Sequence, residues 1–483
     1  MLPAFAADAG GPLRIGSKRF TESYILAQVL AQAAAPHLSQ PPEVKQGLGN
    51  TAIVYEALRS GSIDLYPEYA GTIALEILKN DKPMSLEAMN KALAPLGLGA
   101  AIPLGFNDGY ALAMRGPDAG RLNIRTLSDL ARHPDLKFGL SNEFIGRADG
   151  WPGLARTYRM SQQPLGLDHG LAYDAIAGKQ IDVMDIYTTD AKIGHLKLAV
   201  LQDDKNYFPR YDALVLYRLE VPQKYPQAWA ALQKLAGSID ENTMIAMNAR
   251  AELERVAFDV IAKDHLAGKA PGATTSAGGF IEKLFGPDLG RLTFQHLSLV
   301  VASVVIAASI AIPLALLVFA RPRARAALLG ATGLLQTVPS LALLAILIWA
   351  LGAIGVVPAV IALTLYALLP IMRNTVTGLA EVPQGLRDAA SALGMAQAQR
   401  LRLVELPLAW PTILAGIRIA TTIAIGTATI AAFVGAGGYG ERIVTGLAIN
   451  DSDLLLAGAL PAAALALVSE LLFELVARFG ARR

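Results

Sequence analysis

Five tyrosines in the first half of the chain, Tyr66, Tyr69, Tyr110, Tyr187 and Tyr211, fall at or near the ends of runs that read as β-strands. A quaternary ammonium has no N–H to donate, and aromatic faces hold it through the ring quadrupole and the exclusion of water. The ends of parallel strands face the crevice where ligands sit, so three or four of the five rings are expected to touch one. The alternative use of each ring is as a half-buried strand residue. Arg147, between Phe144 and Asp149, is the first candidate to grip a carboxylate, because a guanidinium offers a planar fork. Its alternative use is an ion pair with Asp149 or Glu143. Thr21, Thr51 and Thr188 offer hydroxyls, and Asp190 either orients one of them or faces a cation. Helix N-termini near Thr21 and Asn50–Thr51 can also receive an anion.

The elements that carry these residues follow from the pattern. Across 11–265, short β-rich runs (LRIGS, SIDLYP, LKFGLS, QIDVMDIY) alternate with helical patterns, such as those near 21–35 and 70–79. That alternation predicts an α/β fold with parallel sheets. Two runs, near 104–114 and 207–218, are placed to cross between two lobes. Residues 266–279 are rich in Gly, Ala, Ser and Thr and read as a linker. Residues 280–296 read as an amphipathic approach to a membrane. MLPAFAADAG at residues 1–10 reads as the tail of a secretory signal.

From 291 to 483 the composition changes. The chain is 53% hydrophobic overall, but the long apolar runs are all here. A helix needs about 20 apolar residues to cross the hydrocarbon core. Five segments come close: 296–319, 327–351, 355–372, 411–435 and 454–477. Arginines set their orientation. Arg321, Arg323 and Arg325 follow the first segment; Arg373, Arg387, Arg400 and Arg402 lie between the third and fourth; Arg478, Arg482 and Arg483 follow the fifth. With five spans all three groups fall on one side, so the first half is expected outside and the C-terminus inside.

Between the third and fourth segments lies DAASALGMAQAQRLRLVELPLAWP, residues 388–411. A helix is predicted from about Pro383, with Leu386, Ala389, Ala390 and Leu393 on one face. Gly394 suits the left-handed residue that ends it. A second helical piece, 396–405, follows, and Pro407 and Pro411 are expected to interrupt the pattern. The spacing Asp388-Ala389-Ala390, Gly394, then Val404-Glu405-Leu406-Pro407 resembles the cytoplasmic coupling loop of ABC importer permeases, with Asp for Glu and Val for Ile. That resemblance implies docking of Asp388, Ala389, Ala390, Gly394, Leu406 and Pro407 in a cleft of a separate ATPase subunit.

The first half carries its own resemblance. GSKRFTESYILAQ (16–28), ALRSGSIDLYPEYAGT (57–72), GFNDGYALAMR (105–115), EFIGRADGWPGL (143–154) and DDKNYFPRYDAL (203–214) resemble the binding proteins of osmoprotectant ABC importers. These take up glycine betaine, choline, carnitine and related amines, and some relatives handle the betaine ergothioneine. The implied fold is a two-lobed α/β periplasmic-binding-protein domain (11–265) joined through 266–290 to an all-α permease domain (291–483). In the family, tyrosines of these motifs cage the cationic head. Gly109 and Ala70 stand where relatives often carry threonine, which removes two hydroxyls and leaves room for a bulkier solute.

Other classes are disfavoured. A net charge of +2 leaves no nucleic-acid footprint. Cysteine is absent, so disulfides and thiolate metal sites are excluded. The histidines are scattered, and no nucleophile–base pair is visible. The chain has no G-x-x-x-x-G-K-[ST] phosphate loop. No cofactor is expected in this chain, ATP and magnesium belonging to a partner ATPase. The expected whole is a multi-pass inner-membrane transporter subunit, not an enzyme, paired as a homodimer. The alternatives are a membrane-anchored sensor using the same domain and an importer of a non-betaine solute.

Overall fold

The computed structural model describes residues 11–80, 82–147, 149–269, 279–449 and 451–480. The signal-like residues 1–10 and most of the linker, 270–278, lie outside the described residues. The chain divides into two units. One comprises the described residues up to Lys283 together with Val444–Leu455; the other comprises Leu284–Ile443 and the described residues from Leu456 onward.

The first unit holds two larger sheets, one in each of two lobes, and a two-stranded sheet. Its strands are β1 (Arg14–Gly16), β2 (Glu43–Lys45), β3 (Leu65–Tyr69), β4 (Leu98–Ala101), β5 (Tyr110–Arg115), β6 (Gly139–Ser141), β7 (Leu165–Leu167), β8 (Val183–Tyr187), β9 (Leu198–Val200) and β10 (Ala213–Arg218). The first-lobe sheet has the order β2-β1-β3-β10-β4 and the second-lobe sheet β8-β5-β9, with β6 and β7 as a separate pair. The expectation of parallel sheets needs correction. β1 runs parallel to β2 and β3, and β6 to β7, but β10 is antiparallel to β3 and β4. β5 is likewise antiparallel to β8 and β9. The reason is topological. β5 and β10 follow the two crossings, so each enters its sheet from the other lobe and runs against its neighbours.

Helix Thr21–Ala34 packs against the first sheet by burying Ile25, Leu26, Val29 and Leu30. Helix Thr51–Arg59 is started by Asn50, whose side chain accepts from the Ile53 N–H. In the second lobe, Ser141 caps helix Asn142–Gly146 by accepting from the Phe144 N–H. Its hydroxyl also donates to buried Asp185 at 2.6 Å. These caps satisfy backbone donors that a helix start leaves unpaired.

The second unit is helical. Helices Leu289–Val318, Val356–Glu381 and Ser452–Gly480 and the helical run Gln397–Val434 are long and apolar enough to cross a membrane. The predicted second span is not one straight helix. Pro322–Thr337 and Ser340–Leu351 meet at a bend of 100°. Pro339 at the break has no N–H to offer, and Tyr366 Oη donates to the freed Val338 carbonyl at 2.5 Å. The predicted third span runs on to Glu381. Pro407 and Pro411 do not interrupt the fourth either, since helix Leu406–Ala428 passes through both. Pro407 sits in its first turn, following five residues of wider π-helical winding at Leu401–Glu405. Backbones approach closely where small residues meet. A Cβ on Gly416 would lie 2.9 Å from the Pro370 carbonyl, and one on Gly378 2.8 Å from the Ala409 carbonyl. Such contacts are how helices associate where no hydrophobic force drives them together.

Candidate functional site

Four of the five tyrosines converge where the two lobes meet. Tyr69 ends β3, Tyr110 begins β5, Tyr187 ends β8, and Tyr211 lies two residues before β10. Tyr110 and Tyr187 are direct partners across the β5–β8 ladder. Their ring centroids are 5.1 Å apart, and Tyr110 lies 5.7 Å from Tyr211 in an edge-on pose. Phe20, immediately before helix Thr21–Ala34, closes the cluster at 5.2 Å from Tyr187 and 6.3 Å from Tyr69. Phe208 adds a further ring 6.4 Å from Tyr110. Tyr66 is not brought in. It stands three residues before Tyr69, hence on the opposite face of β3, fully buried with no hydrogen-bond partner for its hydroxyl among the described residues.

Gly71 is what lets Tyr211 reach the cluster. A Cβ there would fall 2.5 Å from the Tyr211 ring. At Gly109 the nearest atom to an added Cβ is 3.4 Å away, so a small side chain would fit.

Two cations flank the rings. The Arg147 guanidinium carbon lies 5.4 Å from the Tyr110 ring centre, and Lys18 Nζ lies 4.9 Å from that of Tyr69. Arg147 is 4% exposed and forks onto Asp149 at 2.8 and 2.5 Å. The ion pair considered as its alternative use is therefore present. Its Nη2 also donates to Thr72 at 3.3 Å, and its Nη1 lies 3.5 Å from Glu143. Lys18 Nζ is bonded to Glu68 at 2.6 Å. Burial works against ionised Glu143, but Lys18, Arg147 and the Thr51 hydroxyl outweigh it and hold its carboxyl below the usual range.

The threonines and Asp190 act on protein groups. Thr51 donates to Glu143 at 2.9 Å, and the Thr188 hydroxyl accepts from the Gly109 N–H at 2.9 Å. Thr21, 4% exposed, lines a small cavity with Glu252, His169 and Asp190. Asp190 accepts from Tyr173 Oη at 2.6 Å and the Tyr187 N–H at 3.0 Å, and pairs with His169 Nε2 at 2.9 Å. Burial disfavours charge on His169, yet Asp190 and Asp185 prevail and push it up to about 9. Asp190 thus fixes the backbone of a cluster tyrosine.

Sequence reasoning missed Lys18, Phe20, Glu22, Thr72, Asp108 and Thr189. Lys18 and Phe20 lie on the short connection between β1 and the first helix, and Glu22 stands in that helix's first turn, where the alternation of types carries no signal of what they face. Glu22 is 2% exposed and accepts from Tyr69 Oη at 2.5 Å and Thr189 Oγ1 at 2.6 Å. Burial and nearby Asp190 push it up to about 7, against the pull of those donors.

In the second unit, helix Gln384–Ala392 ends at Gly394, whose φ is +78°. Asp388 and Ala389 are exposed, Ala390 is buried, and Leu386 and Leu393 show 45% and 78% of their surfaces. The helix therefore presents apolar surface that the described residues do not cover. Buried Glu405 anchors it, bonded to Arg400 at 2.8 Å and 3.8 Å from Arg387. Leu406 and Pro407 open the next helix.

A two-lobed binding domain with an aromatic cluster at its junction, followed by a helical membrane domain, defines a solute-binding and permease protein. Residues 11–268 match the family model described as the substrate-binding domain of ABC-type glycine betaine transport systems. Residues 285–482 match the binding-protein-dependent transport system inner membrane component. The chain belongs to the first family over more than half its length and carries the permease domain of the second in the same polypeptide. It is 36% identical over 266 residues to an ergothioneine transport permease/ergothioneine binding protein, EgtU, of Helicobacter pylori. That match covers 53% of this chain and 47% of the relative, so about half of the relative's length is spanned. It is 46% identical over 190 residues to the osmoprotectant import permease protein OsmW of Salmonella typhimurium, covering 38% of this chain and 88% of that one. A solved glycine betaine/carnitine/choline ABC transporter structure is 27% identical with a TM-score of 0.45, covering 53% of this chain and 98% of that one.

Proposed function

We propose that the chain captures a betaine-type solute in its first unit and passes it through its own membrane helices, driven by a separate ATPase. The observation that carries the reading is the junction of Tyr69, Tyr110, Tyr187, Tyr211 and Phe20 with Arg147 and Lys18 against the same rings. A betaine is a quaternary ammonium with a carboxylate. The rings suit the first group, and the two cations with Thr72 suit the second. The rings now pack on one another, so a trimethylammonium head parts them on entry and holds the lobes together once seated. Arg147 stays forked on Asp149 and offers Nη1, the nitrogen nearest Glu143, to the ligand.

The closed receptor then docks on the outer face of the permease. ATP binding in the partner moves helix Gln384–Ala392, whose uncovered Leu386 and Leu393 suit a cleft in that partner. The permease works as a pair, with two ATPase copies that hold the nucleotide and magnesium. The arginine-bearing segments lie on the cytoplasmic side and the first unit outside. The chain performs no catalysis itself.

The test is a thermal-shift screen of the full chain in lipid nanodiscs against glycine betaine, choline, carnitine, ergothioneine and amino acids. A ligand bound to the closed form raises the midpoint by mass action. A response to quaternary amines is expected; a response to amino acids alone overturns the reading.

A further inference from the structure

The cluster around Thr189 contains a hydrogen-bond count that does not balance without an extra proton. Thr189 Oγ1 carries one hydrogen, yet lies 2.6 Å from Glu22 Oε2 and 2.8 Å from Asp108 Oδ1. The hydroxyl donates to only one of them. The other short contact needs a hydrogen from the carboxyl side. Glu22 is the better anion. It accepts from Tyr69 Oη, from Thr189 Oγ1 and from Asn248 Nδ2 at 3.3 Å, and it stands in the first turn of helix Thr21–Ala34, where the helix dipole favours negative charge. Among the described residues Asp108 accepts only from Thr189, whose N–H lies 3.3 Å from Oδ1. The proton therefore belongs to Asp108, and the chain runs from Asp108 O–H to Thr189 Oγ1–H to the Glu22 carboxylate.

These three residues come from three places. Glu22 belongs to the first lobe, Thr189 follows β8 in the second, and Asp108 lies on the crossing before β5. We propose that Asp108, Thr189 and Glu22 form a proton-holding clasp. One proton kept on Asp108 closes the lobes on each other and aims Tyr69 into the ring cluster, so solute capture tightens in acid surroundings and loosens as the pH rises. The proposal rests on the receptor reading above for what is captured, but the clasp itself is observable without solute.

The direction follows from linkage. Burial, with Glu22 and Asp190 nearby, raises the Asp108 carboxyl well above its ordinary range in the closed form. Opening lets water in and returns it toward that range. The closed form thus binds the extra proton. Its advantage is complete below about pH 4, the ordinary aspartate value. It then falls by up to about tenfold per pH unit until the closed-form acid also ionises. The other charged groups facing the clasp are accounted for. Asp190 is held by His169 and Tyr173. Glu252 of helix Glu241–Glu252 lies 4.0 Å from Lys192, and Lys18 is tied to Glu68.

Because the chain has no cysteine, Lys91→Cys in the first lobe and Gln163→Cys in the second give one spin-label pair per chain, kept to one per assembly by dilution with unlabelled parent chains. Double electron–electron resonance on the full chain in nanodiscs, without solute and with choline, reads the closed-to-open ratio between pH 5 and pH 8. The ratio is expected to fall about tenfold or more in the parent. In Asp108→Asn, where the amide supplies a permanent donor, most of that slope should be lost, leaving only what Glu22, pushed up to about 7, contributes. Thr189→Val should favour the open form at every pH, and Thr189→Ser should restore the slope. A parent ratio that does not change with pH overturns the proposal, as does the same slope in Asp108→Asn, which would place the titrating group elsewhere. A slope present without solute while choline changes nothing supports the clasp and counts against the quaternary-amine reading instead.

Discussion

Tyr187 is held at three levels: by its ladder partner Tyr110, by its ring neighbours Phe20 and His169, and through its backbone N–H by Asp190. The main-chain anchor at Asp190 keeps Tyr187 in place while its neighbouring rings part for a cation. Tyr187→Ala is therefore expected to weaken quaternary-amine binding by about 0.5–2 kcal/mol or more, read by titration calorimetry, and Tyr110→Ala should behave alike. Unchanged affinity would remove them from the cage. Gly71 gives a sharper test, because it packs against the Tyr211 ring. The methyl of Gly71→Ala would meet the Tyr211 ring at 2.5 Å. Overpacking of this kind costs about 1–3 kcal/mol. The expected outcome is a lower unfolding midpoint together with weaker binding, since Tyr211 is the ring that must yield. A binding curve that stays in place would mean Tyr211 is not part of the site.

At the scale of elements, Gly394 and Glu405 divide one task. Gly394 turns the chain at φ +78°, where no Cβ is tolerated cheaply, and Glu405 ties the turn to the following helix through Arg400. Gly394→Leu should abolish uptake into proteoliposomes containing the ATPase while leaving solute binding in the first unit intact. Retained uptake would argue against docking through this helix. Glu405→Ala leaves Arg400 and Arg387 without their shared carboxylate and should uncouple ATP hydrolysis from uptake, measured as hydrolysis per solute moved.

The same elements show what was legible beforehand. Alternating runs announced the strands and most helices, and a glycine marked the helix end at Gly394. Strand direction was not legible, because β5 and β10 read alike whichever way they enter a sheet. The bend at Pro339 was passed over although Gln336-Thr337-Val338-Pro339-Ser340 breaks the apolar run there, and Pro407 proved harmless because the wider π winding at Leu401–Glu405 just before it has already shifted the hydrogen-bond ladder. Ring residues such as Tyr110 could be named from their position at strand ends. The Glu22–Thr189–Asp108 set could not, since its members are 81 or more residues apart and come from three separate elements.

For the whole molecule the question is how many copies act together. Among the described residues a single chain has four to five candidate spans, and the last of them buries only 17% of its apolar window within the chain. That leaves most of the helix facing lipid or another subunit. If two permease domains form one path and both must couple, a defect in either subunit should silence the pair. Mixing equal amounts of parent and Gly394→Leu chains before reconstitution then leaves about a quarter of the pairs with two intact copies, by random assortment in a two-fold assembly. Uptake should fall to about that fraction. Independent monomers would instead keep about half. Native mass spectrometry of the mixed sample, with one chain carrying a mass tag, confirms that assortment occurred. A value near half in a well-assorted sample would show that each copy transports on its own, while a value near a quarter ties the coupling helix of both copies to one shared cycle.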